Sequence, residues 1–207
     1  PRGLDFPAAA AFPLVFLTAW HMLAARARLR PGETALILGT SGGVGSAAVQ
    51  IAALMGARVL AAVGDDAKKE RVRDLGAEAV FNYRTEDVVA AARALTDGWG
   101  VDVVVDHAGR ATWDLALGVL ARGGRLVNCG ATTGTEIAFD LREFYRRQLT
   151  LLGSFLGTKA ELRRIIALVE RGRLRPVLDR TFPLAEAAAA HRYVEERRHF
   201  GKVVLVV

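Results

Sequence analysis

The chain has 207 residues, 52% of them hydrophobic, a formal net charge of +6 and one cysteine. That is apolar material for one substantial domain with pieces of a second, and a lone Cys129 excludes an internal disulfide framework and a cysteine-based metal cluster. The excess charge is nearly all arginine, scattered among acids as in Arg71-Val72-Arg73-Asp74, which suits solvated helix faces and not a nucleic-acid surface.

The chain opens Pro1-Arg2-Gly3, so a piece of a longer protein is expected. Phe6 to Ala25 contains no Lys, Arg, Asp or Glu, but Pro7, Pro13, His21 and its many alanines argue against a membrane span. Only Arg2 precedes it as a basic residue, too little for a secretory signal, and a cytoplasmic location is expected. Residues 1–30 are read as a helical lead-in.

From Glu33 onward the pattern alternates. Thr34 to Leu38 reads as a strand, Val44 to Met55 as a helix stopped by Gly56, and Arg58 to Val63 as a second strand. Asp65 to Leu75 reads as an amphipathic helix closed by Gly76, Ala79 to Asn82 as a third strand, and Glu86 to Leu95 as a helix. The second half repeats the plan: strand Val101 to Asp106, helix Thr112 to Ala121, strand Arg125 to Cys129 after a Gly123-Gly124 turn, strand Leu149 to Ser154, helix Lys159 to Glu170. Six strands alternating with helices predict an α/β, doubly wound Rossmann-type parallel sheet in the order 3-2-1-4-5-6, with helices on both faces. Ligands of such a sheet sit at the carboxyl ends, where the chain switches sides between the first and fourth strands. This domain is expected over 31–175, with 176–207 as a separate C-terminal segment.

The turn after the first strand is Gly39-Thr40-Ser41-Gly42-Gly43-Val44-Gly45. Gly42 lets backbone approach a diphosphate, Gly45 lets the helix pack tightly, and the amides of Ser41, Gly43 and Val44 with the helix dipole favour negative charge. The strict G-x-G-x-x-G spacing is not met, because its first position falls on Thr40. A Walker loop is excluded by the lack of Gly-Lys-Ser/Thr, and a short-chain reductase site by the lack of Tyr-x-x-x-Lys.

Gly39 through Ala52 resembles the cofactor turn of medium-chain dehydrogenases/reductases, in the branch of quinone oxidoreductases and zinc-type alcohol dehydrogenases. Leu17-Thr18-Ala19-Trp20, Val105-Asp106-His107-Ala108-Gly109, Gly123-Gly124-Arg125 and Phe200-Gly201-Lys202-Val203-Val204-Leu205 fit the same family in the same order. The resemblance implies a GroES-like catalytic domain outside this chain, to which the strand around Lys202 to Val207, and with it Pro176 to Phe182, returns. It further implies that the chain alone binds cofactor weakly and turns over nothing.

By the same resemblance, the position where an acid would select NAD is Gly64, while Lys68 and Tyr83 match the Lys and Tyr that grip the 2′-phosphate in NADPH-dependent relatives. Asp65 opposes this by its charge, leaving NADPH/NADP expected and NADH/NAD as the alternative. Thr18 resembles a residue near the nicotinamide. His107 follows the fourth strand toward the cofactor edge. Asn128, Gly130, Ala131 and Thr132 after the fifth strand, and Ser154, Phe155 and Leu156 after the sixth, are expected beside the nicotinamide ring and its carboxamide. Leu14 stands where zinc-dependent relatives carry a ligand cysteine, so no metal is expected in this fragment. The expected partners are the dinucleotide, a small carbonyl, quinone or alcohol substrate, and a second copy through strand 149–154; neither nucleic acid nor membrane is expected. The leading reading is hydride transfer to a quinone or enone; a zinc-type alcohol dehydrogenase and a non-catalytic nucleotide sensor are the alternatives. No catalytic residue is assigned.

Overall fold

A computed structural model describes residues 1–207 in full. At its centre β1 (Thr34–Ile37), β2 (Arg58–Val63), β3 (Ala79–Asn82), β4 (Val101–Asp106), β5 (Leu120–Asn128) and β6 (Thr150–Gly153) form one parallel sheet in the order β3-β2-β1-β4-β5-β6. The doubly wound order read from the alternation is the order found. Helices cover both faces, so the central strands are apolar without interruption: Ala35, Leu36, Ile37, Val103, Val104 and Val105 are all fully buried.

Successive residues of each strand feed two cores. Ala35, Ile37, Val103 and Val105 pack with Phe16, Met22, Ile51 and Ile165. Those residues come from α2 (Pro13–Trp20), the π-helical turn His21–Arg26 that continues it, α3 (Gly43–Leu54) and α8 (Lys159–Glu170). Leu36, Leu60 and Val104 pack with Val88, Trp113 and Ala116, from α5 (Val88–Ala94) and α6 (Trp113–Val119). A short α1 (Phe6–Ala11), capped by the Asp5 carboxylate on the Ala8 amide, precedes α2. The helical run Phe6–Arg26 has the length and mean hydropathy (1.6) of a membrane span, yet the fold uses it as core, with Phe16, Ala19, Met22 and Leu23 wholly inside.

Three local expectations are corrected. The helix read over 65–75 is divided: Asp65 accepts from the Ala67 amide at 3.0 Å and caps a 3₁₀ turn, Asp66–Lys68, before a short α4 (Lys69–Arg73). Gly76 still closes it, at φ +111°. The helix read through Ala121 stops at Val119, and β5 starts at Leu120. Residues 121–124 bulge out between the pairs Val101–Leu120 and Val103–Arg125, so Gly123-Gly124 lies inside the strand, not before it.

Of the remaining elements only the last strand, expected around Lys202 to Val207 from the resemblance, was anticipated. α7 (Leu141–Arg146) is capped by Asp140, which accepts from the Arg142 and Glu143 amides. β7 (Leu178–Pro183), α9 (Ala187–Glu195) and β8 (Lys202–Val206) form a small parallel unit in which β7 and β8 pair only with each other and α1 packs on them. Gly201, just before β8, bridges to Gly42 and donates its amide to the Ser41 carbonyl at 2.8 Å, tying this unit to the glycine turn.

Candidate cofactor site

The glycine turn leaves the carboxyl end of β1 and enters α3 at the crossover between β1 and β4. Gly42 occupies the N-cap at φ −87°, ψ 176°, with no side-chain capping bond. The amides of Gly43, Val44 and Gly45 in the first turn have no acceptor four residues back, as at any helix start. The protein itself explains two of the three glycines at the helix start, Gly42, Gly43 and Gly45. A Cβ at Gly45 would lie 2.3 Å from the Gly39 carbonyl oxygen and 2.7 Å from the Thr40 Cα, so only glycine lets α3 close against the turn. A Cβ at Gly43 would collide with Val15 and the stem of Lys202, both within 2.8 Å. At Gly42 a Cβ would meet only the Gly39 oxygen, at 3.5 Å, an ordinary contact. Nothing inside the protein calls for glycine there.

Across the crossover crevice stands His107. Its ring lies against Gly39, where a Cβ would come within 2.8 Å of Cε1 and Nε2, and its Nε2 is buried without a partner. Behind it, fully buried Asp106 organises the end of β4. It accepts from the Ala108 and Gly109 amides (both 3.1 Å), the Thr112 hydroxyl (2.6 Å) and the Asn128 amide (2.7 Å). Asn128 also donates to the Gly130 carbonyl (2.9 Å) and accepts from the Gly130 amide (3.1 Å), so its side chain is a brace between two strand ends. Neighbouring Cys129 is pushed up to about 11 by burial and by the Asp106 charge, which keeps it a thiol and not a nucleophile at neutral pH.

Gly130 and Ala131 border a cavity of about 280 Å³ that extends to Trp113, Ile137 and Leu151. Thr132 is exposed. Ser154 donates its amide to the Asn128 carbonyl at 2.9 Å, while its hydroxyl is buried without a partner. Phe155 is 85% exposed and Leu156 sits at φ +51°. Thr18 is buried in α2 and its hydroxyl donates to the Leu14 carbonyl at 2.8 Å, a bond within its own helix.

At the carboxyl end of β2 a second cavity, about 370 Å³, is lined by Ser41, Gly64, Asp65, Lys68, Tyr83 and Arg84 among others. A Cβ at Gly64 would lie 2.4 Å from the Tyr83 hydroxyl and 3.3 Å from the Arg84 Nε, both side-chain tips. Asp65 is turned to the Ala67 amide as a cap. Lys68 donates to the carbonyls of Arg197 (2.6 Å) and His199 (2.9 Å), and burial lowers its pKa against the pull of Asp65 and Asp179.

The structure thus gathers Ser41 to Gly45, Gly64, Lys68, Tyr83 and His107 around the ends of β1, β2 and β4. Asn128 to Ala131 and Ser154 follow along β5 and β6. The hydroxyl of Thr18 and the amide of Asn128 are spent internally, and Phe155 faces outward. Sequence reading missed Asp106 as the organiser, although an acid at a strand end before Ala-Gly is a signal for it. It also missed Arg84, adjacent to Tyr83, and Arg197 at the mouth of the second cavity.

These features fit a dinucleotide: a bare, uncapped helix start at the crossover, a bare Gly64 under polar tips, and two buried orphan polar atoms along the sheet ends. They do not fit a zinc ion. Cys129 is the one cysteine, Leu14 is apolar and 60% exposed, and His21 is held by Glu161 at 3.0 Å. No three His, Cys, Asp or Glu come together as a donor set.

A zinc-binding dehydrogenase family model matches residues 43–171. The quinone oxidoreductase of Pseudomonas aeruginosa is 35% identical over the whole chain, which spans 66% of that protein. Among solved structures, an NAD-dependent alcohol dehydrogenase is 44% identical with a TM-score of 0.96, the chain covering 60% of it. The crotonyl-CoA carboxylase/reductase AntE in complex with NADP is 29% identical with a TM-score of 0.89, 58% of it covered. Several relatives are far longer polyketide synthase proteins of Streptomyces and Mycobacterium, 41% to 36% identical, of which the chain spans about 10%.

Proposed function

The chain belongs to the zinc-binding dehydrogenase family, within the medium-chain dehydrogenase/reductase superfamily, and from that premise we propose that it is the NADPH-binding part of a reductase acting on a quinone or enone. The one observation that carries the cofactor reading is Gly42. It stands at an uncapped helix start, at the sheet crossover, with no demand from the protein for its missing side chain. A diphosphate placed against that bare backbone would meet the free amides of the first turn and the positive end of the α3 dipole.

When bound, the reduced nicotinamide supplies the hydride; the protein supplies binding and orientation. Asp106 fixes the ends of β4 and β5, between which His107 and the backbone of Gly130 and Ala131 would border the ring. The buried hydroxyl of Ser154 and the Nε2 of His107, near this crevice, have no partner within the protein. NADPH is favoured over NADH by the position after β2. Gly64 offers no carboxylate to the ribose, Asp65 is turned aside as a cap, and Tyr83 presents its hydroxyl over Gly64.

Reduction of a conjugated carbonyl, in place of metal-assisted alcohol oxidation, is supported by Leu14, an apolar side chain at the position where zinc-dependent relatives carry a ligand cysteine. Segments 176–183 and 202–207 are assigned to the junction with a catalytic domain that completes the substrate site. The half-buried edge strand β6 is assigned to pairing with a second copy, and the whole to the cytoplasm. Nicotinamide fluorescence during titration with NADPH and NADH tests the cofactor reading. Tighter binding of NADPH is expected; equal or tighter binding of NADH contradicts it.

A further inference from the structure

The segment 154–158, which leads from β6 into α8, has few hydrogen bonds of its own. The Ser154 amide donates to the Asn128 carbonyl at 2.9 Å, but the amides of Phe155, Leu156 and Gly157 have no acceptor in the protein. Leu156 nonetheless holds a left-handed conformation, at φ +51°. What fixes the segment comes from α2 and the π-helical turn that continues it. The Arg26 Nε donates to the carbonyl of Gly153, the residue before the segment, at 2.8 Å. Leu17 fills the space where a Gly157 side chain would lie, its Cδ1 2.7 Å from a Cβ there. His21 Nδ1 stands 3.0 and 3.2 Å from the two carboxylate oxygens of Glu161. Glu161 in turn accepts from the Thr158 amide (2.7 Å) and hydroxyl (2.9 Å) in the capping box of α8. Burial pushes the Glu161 carboxyl up, but the bonds from Thr158 and His21 outweigh it and hold the group below its ordinary value. An ionised carboxylate only accepts, so the Nδ1–H of His21 is the donor. The π turn brings His21 and Arg26 to one side of the chain. Its hydrogen bonds run five residues back, as from the Ala27 amide to the Met22 carbonyl at 2.8 Å, whereas on an α-helix the neighbours are three and four apart.

From these ties we infer that His21, through Glu161, and Arg26, through the Gly153 carbonyl, are positioning residues that hold 154–158 in the shape that receives the nicotinamide end of the cofactor. This rests on the reading that a nicotinamide dinucleotide lies along the strand ends, and not on which dinucleotide it is. The segment stands at the end of β6, on the other side of the β1–β4 crossover from Gly64 at the end of β2. Its three unpaired amides are donors that the fold does not use. A segment with no bonds of its own would have to be ordered by the ligand, at a loss of affinity, unless neighbouring elements shape it beforehand. Neither His21 nor Arg26 is assigned a contact with the cofactor. The side chains of both bond to the 153–161 stretch and not to the glycine turn, so loss of either tie loosens the nicotinamide end and leaves the phosphate end in place.

Calorimetric titration compares each dinucleotide with its own adenosine half: NADPH with adenosine 2′,5′-bisphosphate, and NADH with adenosine 5′-diphosphate. Hydrogen exchange of the bonded Ser154 and Thr158 amides is followed alongside. His21→Phe keeps a ring but no donor. It weakens the dinucleotide about tenfold, as loss of a hydrogen bond to a charged group does, leaves the adenosine half unchanged and speeds exchange at both amides. His21→Asn, whose side-chain nitrogen can take the place of Nδ1, binds within about twofold of wild type. Arg26→Met, at an exposed position, weakens the dinucleotide about threefold with the same one-sidedness, and decides the matter where His21→Phe does not fold. Unchanged dinucleotide affinity in a folded His21→Phe protein overturns the role of His21, and in Arg26→Met that of Arg26. A loss shared equally by dinucleotide and adenosine half overturns the inference, because it marks a general loosening of the fold. A His21→Asn protein as weak as His21→Phe overturns the bond to Glu161 as the link. A wild type that binds neither dinucleotide more tightly than its adenosine half overturns the placement of the nicotinamide and this inference together. A wild type that prefers NADH overturns the NADPH reading alone.

Discussion

The ends of β1 and β2 are neighbours in the sheet and both carry a bare glycine, yet they are built from different material. At β1 the site is backbone: Gly45 is pressed on the Gly39 carbonyl and the Thr40 Cα, which have nowhere to go. At β2 it is side-chain tips: what occupies the space beside Gly64 is the hydroxyl of Tyr83 and the Nε of Arg84, both at the ends of long side chains. A site made of main chain is fixed once the fold is fixed. A site made of tips depends on which of several charged groups already has a partner.

The largest effect separating the two ends is expected from Gly45→Ala. With a backbone oxygen 2.3 Å from the new carbon, α3 must shift off the turn, and overpacking against rigid backbone costs about 3 kcal/mol. Chemical denaturation reads this as a lower midpoint with cofactor binding lost as well. A Gly45→Ala protein as stable as wild type would break the contrast. Gly64→Ala sharpens it from the other side. The obstacle is a hydroxyl at the end of a side chain that is 40% exposed, and it can swing away for less than about 1 kcal/mol. The same denaturation series is expected to move little, while binding of the ribose phosphate falls because Tyr83 has been displaced.

The same difference sets what could be read from the sequence. Strand order, helix alternation and the glycine turn follow from hydrophobic period and glycine placement, and these properties belong to contiguous residues. The capping of Asp65, which splits the helix expected over 65–75, is a choice between two local hydrogen-bond patterns that periodicity does not register. The pairing of β7 with β8 joins segments separated by α9 and was not visible in either segment alone. Lys68 matched the pattern of a phosphate-gripping lysine, but its ammonium is taken by carbonyls 129 and 131 residues further along the chain. Arg84 went unnoticed because arginines are common in this chain and only the folded structure shows which of them line the cavity at the end of β2. Asp106 was quoted within a motif without a role, since its four donors come from three different segments.

The account depends most on Gly42, the one glycine of the turn that the protein does not require for its own packing. Its backbone angles suit any residue, and an alanine Cβ would meet nothing closer than 3.5 Å. The decisive measurement is therefore Gly42→Ala, assayed in parallel for thermal unfolding and for NADPH binding by nicotinamide fluorescence. An unfolding midpoint within about 2 °C of wild type, with affinity reduced at least about tenfold, is the predicted result. Wild-type affinity in a stably folded Gly42→Ala protein would contradict it, because the diphosphate would then lie somewhere other than against that bare turn.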